Sequence, residues 1–171
     1  GIASRGLGDV YKRQWYDDIA IGINICEDIW IENGPAEEQV KQGASLIINI
    51  NASPYDIQKN ETRKEIVMKK ALKLNVPIIY LNMVGGQDEL VFDGGSFVVD
   101  DLGEIIYQAS SFKEEVFHLD IDLKIKKQND KPSLLIRPKT IELKDIKSKP
   151  SMSENESIYS ALKLGLKDYV R

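Results

Sequence analysis

The sequence predicts an α/β fold built on a mixed sheet, and three observations carry that expectation. Short apolar runs of strand length, residues 19–25, 46–50 and 76–81, alternate with stretches of helical periodicity, the order that gives parallel pairing. Residues 95–100 and 104–109 follow as two strands joined by Asp101-Leu102-Gly103, a compact antiparallel hairpin signal. At 171 residues, 42% hydrophobic and 29% charged, the chain is long enough for one domain with a real core.

Each element has its own local reason. Residues 1–14 hold three Gly and end in Tyr-Lys-Arg-Gln without periodicity of either kind. They read as a non-native, artefactual leader, or else as a flexible natural terminus, and the authentic protein is expected to begin around Trp15. Residues 19–25 form a buried strand by their near-continuous apolar character. Asn33-Gly34-Pro35 opens a helix to about Gln42, with Pro at its first position. Residues 46–50 make a second strand, which Asn51-Ala52-Ser53-Pro54 ends as a loop. Asn60 is placed to cap a helix whose Val67, Ala71 and Leu74 share one face. Residues 76–81 form a third strand, entered through Pro77, and residues 84–90 a Gly-opened loop with two carboxylates.

Beyond the hairpin, residues 115–121 read as a further strand. Residues 124–152 are rich in Lys and Arg and broken by Pro132, Pro138 and Pro150, the composition of a solvated connector. Ser153 and Glu156 then form a capping box ahead of Ile158, Ala161, Leu162 and Tyr169 at helical spacing.

A net charge of −4 argues against a nucleic-acid binder, whose footprint would be basic. No apolar stretch approaches a membrane span, and the N-terminus lacks the apolar region of a signal peptide. The single cysteine suits a reducing compartment, so a cytoplasmic location is expected. No metal site is expected.

That cysteine, Cys26, carries most of the functional information. An apolar strand feeds it straight into the acidic turn Glu27-Asp28, an arrangement that holds a thiol exposed at a sheet edge. A nucleophilic thiol of this kind needs a base and donors for a tetrahedral oxyanion. On residue type alone a lone strand-end cysteine is more often a small buried hydrophobe.

Three segments carry a resemblance: Cys26-Glu27-Asp28-Ile29-Trp30, Asn51-Ala52-Ser53-Pro54-Tyr55 and the run from Asn82 through Val84-Gly85-Gly86-Gln87-Asp88-Glu89-Leu90 to Gly94. Together they resemble the glutaminase domain of bacterial glutamine-dependent NAD synthetases, within the nitrilase or carbon–nitrogen hydrolase superfamily. The likeness implies the C-terminal half of a four-layer α-β-β-α sandwich over residues 15–123, a connector at 124–152, and at 153–171 the first helix of a synthetase domain. It implies glutamine hydrolysis through a thioester on Cys26, with the Glu27 backbone N–H in the oxyanion hole. Glu27 and Ser53 are implied to bind the amino-acid part of glutamine and Lys59 its carboxylate, where some members carry Arg. Turn and helix-start roles remain open for Ser53, Lys59 and Arg63, and surface roles for Asp88 and Glu89; His118 is assigned none.

The same resemblance places a general-base glutamate and a lysine upstream of the recognisable stretch, and a Gly-rich ATP loop downstream of Arg171. Neither a Gly-x-x-x-x-Gly-Lys nor a Ser-Gly-Gly phosphate cradle occurs in the chain, so ATP and Mg²⁺ are expected only with a synthetase domain. The chain is therefore expected to be an interior fragment of a two-domain, homo-oligomeric amidotransferase, with an unpartnered apolar sheet face and poor solubility. A free-standing amidase or nitrilase, or a non-catalytic structural α/β module, are the alternatives. The 171-residue chain alone is expected to release no glutamate from glutamine; a coupled glutamate assay checks this, and release that vanishes in Cys26→Ser would overturn it.

Overall fold

The computed structural model describes residues 14–16, 19–124 and 148–170. Residues 1–13 of the leader expected at 1–14, and most of the connector expected at 124–152, lie outside these, whereas Gln14 belongs to a strand. Eight strands and three α-helices follow in the order β1 (Gln14–Tyr16), β2 (Ile19–Ile25), α1 (Pro35–Lys41), β3 (Leu46–Asn51), α2 (Lys59–Leu74), β4 (Ile78–Asn82), β5 (Val84–Gln87), β6 (Leu90–Asp93), β7 (Phe97–Val99), β8 (Ile105–Gln108) and α3 (Glu154–Tyr169). A 3₁₀ turn, Cys26–Ile29, leaves the end of β2.

Six strands form one sheet in the order β1-β2-β3-β4-β7-β8. The β2–β3 and β3–β4 pairs are parallel, as the βαβ order dictates, while β1 and the β7–β8 hairpin pair antiparallel at either edge. The expected mixed sheet is thus observed. The parallel centre has two distinct faces. Asn24, Asn49, Tyr80, Asn51 and Asn82 alternate onto the side covered by α1 and α2, with Asn24 beside Asn49 and Asn51 beside Asn82 in register. Ile21, Ile23, Ile25, Ile48, Ile50, Ile79 and Leu81 line the other side. The core proper lies on the helix side, where Ile47, Ile78, Val67, Ala71, Phe97 and Val99 pack around stacked Tyr80 and Phe97 rings. Gly22 permits this contact: a Cβ there would stand 2.5 Å from Ile47 Cδ1 and 2.7 Å from Gln39 Oε1.

Several local expectations need correction. Asn60 does not cap α2; the helix starts at Lys59, because Asp56 turns the chain early by accepting the Gln58 N–H at 3.0 Å and the Lys59 N–H at 3.2 Å. Residues 84–90 are not a loop: β5 and β6 pair as a hairpin whose Asp88, at φ 53°, takes the tight-turn conformation. Residues 115–121 alternate in burial as expected but form no strand ladder among the described residues. Phe117, Leu119 and Ile121 lie on Val98 and Tyr107, so this segment crosses the open sheet face rather than extending an edge. It leaves a groove of about 510 Å³ over Ile48, Ile79 and Leu81, while Ile25 and Ile50 remain 42% and 48% exposed. The apolar face anticipated from the sequence is present.

The capping box of α3 is realised, with Ser153 Oγ accepting the Glu156 N–H. Of the residues at helical spacing, Ala161 is the one that the helix buries. Leu162 and Tyr169 point outward, because α3 docks on the β5–β6 hairpin through its small residues. A Cβ on Gly86 would stand 3.0 Å from Gly165 Cα, and the Gly86 N–H donates to Asp168 Oδ2 at 2.9 Å.

A second tie holds the helical layer. Lys70 Nζ donates to Glu37 Oε1 at 2.7 Å and to the Ile31 carbonyl at 2.8 Å, both side chains being nearly fully buried. Burial pushes the Glu37 carboxyl up, but the Lys70 hydrogen bond, a local backbone N–H and the charges of Lys70 and Lys73 together hold it below its ordinary value of 4.5. The resulting stabilisation is complete above that ordinary value and is lost as pH falls through the lowered one. Glu37→Gln should cost about 3 kcal/mol at neutral pH, since it strands the buried Lys70 charge. Urea unfolding at pH 7 and pH 4 checks this, with the loss shrinking at the lower pH.

Candidate active site

The β2 strand ends in a strained residue. Cys26 adopts φ 50°, a left-handed conformation that a side chain with a Cβ takes at a cost of about 1–2 kcal/mol. The turn is braced from several directions: the Ile25 N–H donates to Asp28 Oδ2 at 2.9 Å, the Trp30 N–H to the Glu27 carbonyl at 2.9 Å, and Asn49 Nδ2 to the Cys26 carbonyl at 3.2 Å. Cys26 is left partly exposed and is a free thiol. The Glu27 side chain is exposed, and its N–H lies in the first turn of the 3₁₀ segment, where backbone donors have no intrahelical acceptor.

Beside this turn the strand ends carry a buried polar network. Asn24 and Asn49 are fully buried, and Asn51 and Asn82 nearly so. Asn82 Oδ1 accepts the Ser53 N–H at 2.9 Å, while its amide nitrogen donates to the carbonyls of Ser53 and Gly94 and to Asp93 Oδ1. Arg63, from the second turn of α2, places Nη1 2.9 Å from both oxygens of Asp93. Its Nη2 donates to the Ser53 carbonyl at 2.9 Å, to Ser53 Oγ at 3.1 Å and to the Pro54 carbonyl at 2.8 Å. Burial pushes the Tyr80 hydroxyl above its usual range; the Arg63 charge and Ser53 oppose that shift, and Cys26 and Asp93 reinforce it.

The expected site residues separate accordingly. Cys26 and Ser53 fall in one electrostatic neighbourhood around Tyr80, with Ser53 itself 4% exposed under Arg63. Lys59 opens α2 one helical turn before Arg63 and is half-buried. Asp88 and Glu89 sit exposed at the hairpin tip, and His118 is exposed on the crossing segment. Arg63 is a correction: rather than a solvated helix-start residue, it is 2% exposed. Its i, i+4, i+8 spacing to Val67 and Ala71 places it on the buried face, and that signal was available in the sequence. Asp93 and the asparagines were missed, because nothing local distinguishes a buried amide from a turn residue.

The loop that follows Ser53 is also tied to the hairpin and α3. The Tyr55 N–H donates to the Val91 carbonyl at 2.7 Å, and the Ser157 hydroxyl bonds the Tyr55 hydroxyl at 2.8 Å. A cavity of about 200 Å³ opens there between Tyr55, Glu61, Phe112 and Glu154, with Asp93 at its wall. No described helix is long and apolar enough to cross a membrane.

Comparison with known proteins agrees with this geometry. The family described as "Carbon-nitrogen hydrolase" matches residues 7–127, a span that includes part of the leader set aside on sequence grounds. The glutamine-dependent NAD(+) synthetase of Thermotoga maritima is 39% identical over 90% of this chain, and that of Aquifex aeolicus 35% identical over 88%. The chain spans about 30% of the length of these curated relatives. Among solved structures, the glutamine-dependent NAD+ synthetase from Acinetobacter baumannii in complex with ADP superposes with a TM-score of 0.72 at 33% identity, covering 92% of this chain and 27% of its own. A carbon–nitrogen hydrolase from Helicobacter pylori superposes at 0.56 over 61% of this chain and 41% of its own, at 24% identity, a likeness of fold alone.

Removing the guanidinium would leave Asp93 as a buried, unpaired charge. Arg63→Met should therefore cost about 4 kcal/mol of stability, and Arg63→Met with Asp93→Leu should recover most of that loss. Chemical unfolding of the two single variants and the double variant measures the coupling directly.

Proposed function

The chain belongs to the carbon–nitrogen hydrolase family, and from that premise we propose that it carries the thiol site at which a glutamine-dependent NAD synthetase hydrolyses glutamine. The observation that carries this reading is Cys26 itself, the one thiol of the chain, held at φ 50° at the end of a parallel strand with its turn braced on several sides.

In this reading the Cys26 sulfur attacks the carboxamide carbon of glutamine. The Glu27 N–H receives the developing oxyanion, ammonia leaves, and water then cleaves the γ-glutamyl thioester to glutamate and free thiol. Ser53 and the Glu27 side chain orient the amino-acid portion, with Lys59 offered to its carboxylate as a point charge. The base that makes the thiolate and the lysine that assists it come from upstream sequence of the kind the resemblance implies. The ammonia is passed to a C-terminal synthetase domain that uses ATP and Mg²⁺ to amidate nicotinic acid adenine dinucleotide. Neither a Gly-x-x-x-x-Gly-Lys nor a Ser-Gly-Gly motif for that step occurs in this sequence. We place the protein in the cytoplasm, as a homo-oligomer in which α3 leads from the glutaminase domain toward its synthetase partner.

The test begins with the genomic DNA flanking the codons for Trp15 to Arg171. An upstream glutamate and lysine with a downstream Ser-Gly-Gly-x-Asp-Ser loop are expected. A stop codon soon after Arg171 with the upstream pair intact would instead favour a single-domain amidase, and loss of the pair a non-catalytic module. In the protein so encoded, hydroxylamine should intercept the thioester and yield γ-glutamyl hydroxamate from glutamine, a product absent from Cys26→Ser.

A further inference from the structure

The amides beneath the strand ends all point one way. Asn51 Nδ2 donates to Asn49 Oδ1 at 2.7 Å; Asn49 Nδ2 donates to Asn24 Oδ1 at 2.7 Å and to the Cys26 carbonyl at 3.2 Å. Asn24 Nδ2 donates to Gln39 Oε1 at 3.3 Å, and Gln39 Nε2 to the Ile23 carbonyl at 2.7 Å. The orientation of Asn49 follows from its neighbours. Rotated by half a turn, its oxygen would face Asn24 Oδ1 and the Cys26 carbonyl, setting acceptor against acceptor on both sides.

We propose that Asn49 is a positioning residue for the oxyanion donor of the thiol reaction, acting through the Cys26 carbonyl. The inference rests on the reading of Cys26 as nucleophile. A trans peptide is planar, so the Cys26 carbonyl and the Glu27 N–H project from opposite edges of one rigid unit. A fully buried side chain that holds the carbonyl toward β3 thereby aims the N–H away from the sheet, toward the exposed side of the turn. The bond also polarises the peptide. An amide whose oxygen accepts a hydrogen bond is a stronger donor, and the Asn51–Asn49 bond strengthens the Asn49 donor in the same manner. Two more functions are served at once: the left-handed Cys26 is held against relaxation, and β2 is locked to β3 where the turn begins.

The test separates thiol reactivity from oxyanion binding in the full-length protein that supplies the upstream base and lysine. Butanal adds to a thiol to give a thiohemiacetal: the S–C bond forms, the carbonyl π bond breaks and the thiol proton passes to the new oxygen, which occupies the oxyanion position. Chloroacetamide alkylates the same sulfur with loss of chloride and without an oxyanion. Asn49→Ala should weaken the butanal adduct, read by ¹³C NMR of labelled aldehyde, about tenfold, short of the 10²–10³ lost when a donor is removed outright. Alkylation should stay within about twofold of the unsubstituted rate, because it needs only the thiolate. Should Asn49→Ala not fold, Asn49→Ser, whose hydroxyl is too short to reach the Cys26 carbonyl, takes its place with the same expectation. Equal aldehyde affinity in the variant would overturn this inference and leave the nucleophile reading intact. A parallel fall in both reactions would show that Asn49 supports the fold only, and would overturn it too. No adduct on the unsubstituted full-length protein would overturn the nucleophile reading, and this inference with it.

Discussion

A guanidinium does not give up its proton inside a protein, so the burial of Arg63 dictates what surrounds it. Asp93 supplies the opposite charge to Nη1, and the Ser53 and Pro54 oxygens take Nη2, while Nε is buried without a partner among the described residues. These partners come from the end of β6 and from the loop after β3, while Asn82 at the end of β4 closes the ring onto both. Four separate segments thus meet at one charge that cannot be neutralised in any other way. The conformation of residues 53–55 is a consequence of that requirement rather than of turn propensity.

The strained Cys26 turn is held by a second buried cation on the same helix. Lys70 lies seven residues after Arg63, two turns on and on the same face of α2. It bonds Glu37 of α1 and the Ile31 carbonyl, just beyond the 3₁₀ turn that begins at Cys26. One rigid helix therefore fixes both the exit of the Cys26 turn and the loop containing Ser53. A left-handed cysteine persists only where its neighbours over-determine it, and here the neighbours include two buried ion pairs anchored to one element.

What was legible in the sequence follows from how local each cause is. The strands 19–25 and 46–51, the Pro-led α1 and the Ser153–Glu156 cap are decided within a few residues, and they stand close to where the pattern put them. The 115–121 alternation was equally clear, yet alternation reports two faces and says nothing about whether an edge is within reach. The helical spacing of Ile158, Ala161, Leu162 and Tyr169 gave the helix but not its buried face; the helix turns its glycine to the hairpin, a contact made by Gly86 some eighty positions away, and leaves Leu162 and Tyr169 outward. Cys26 and Ser53 were visible through motif resemblance. Arg63 was not, because charge was read as exposure even though its helical phase said otherwise.

The period-two geometry of the sheet keeps chemistry and packing apart. On the helix side, the strands exchange aliphatic residues for amides as they approach their C-terminal ends: Ile47 gives way to Asn49 and Asn51, Ile78 to Tyr80 and Asn82, Ala20 and Gly22 to Asn24. On the opposite side the same strands stay aliphatic to the last residue, through Ile25, Ile50 and Leu81. A slip of one residue in any of these pairs would drive asparagines onto the apolar face and isoleucines among the amides. The register is thus enforced twice, by hydrogen bonds beneath the thiol and by the apolar surface behind it. The polar network lies on the face already closed by helices; its amides donate in sequence from Asn51 through Asn49 and Asn24 to Gln39, while Asn51 Oδ1 and the Tyr80 hydroxyl are buried without a partner among the described residues. The aliphatic face lies opposite the buried amides, and a groove of about 510 Å³ stays open over it.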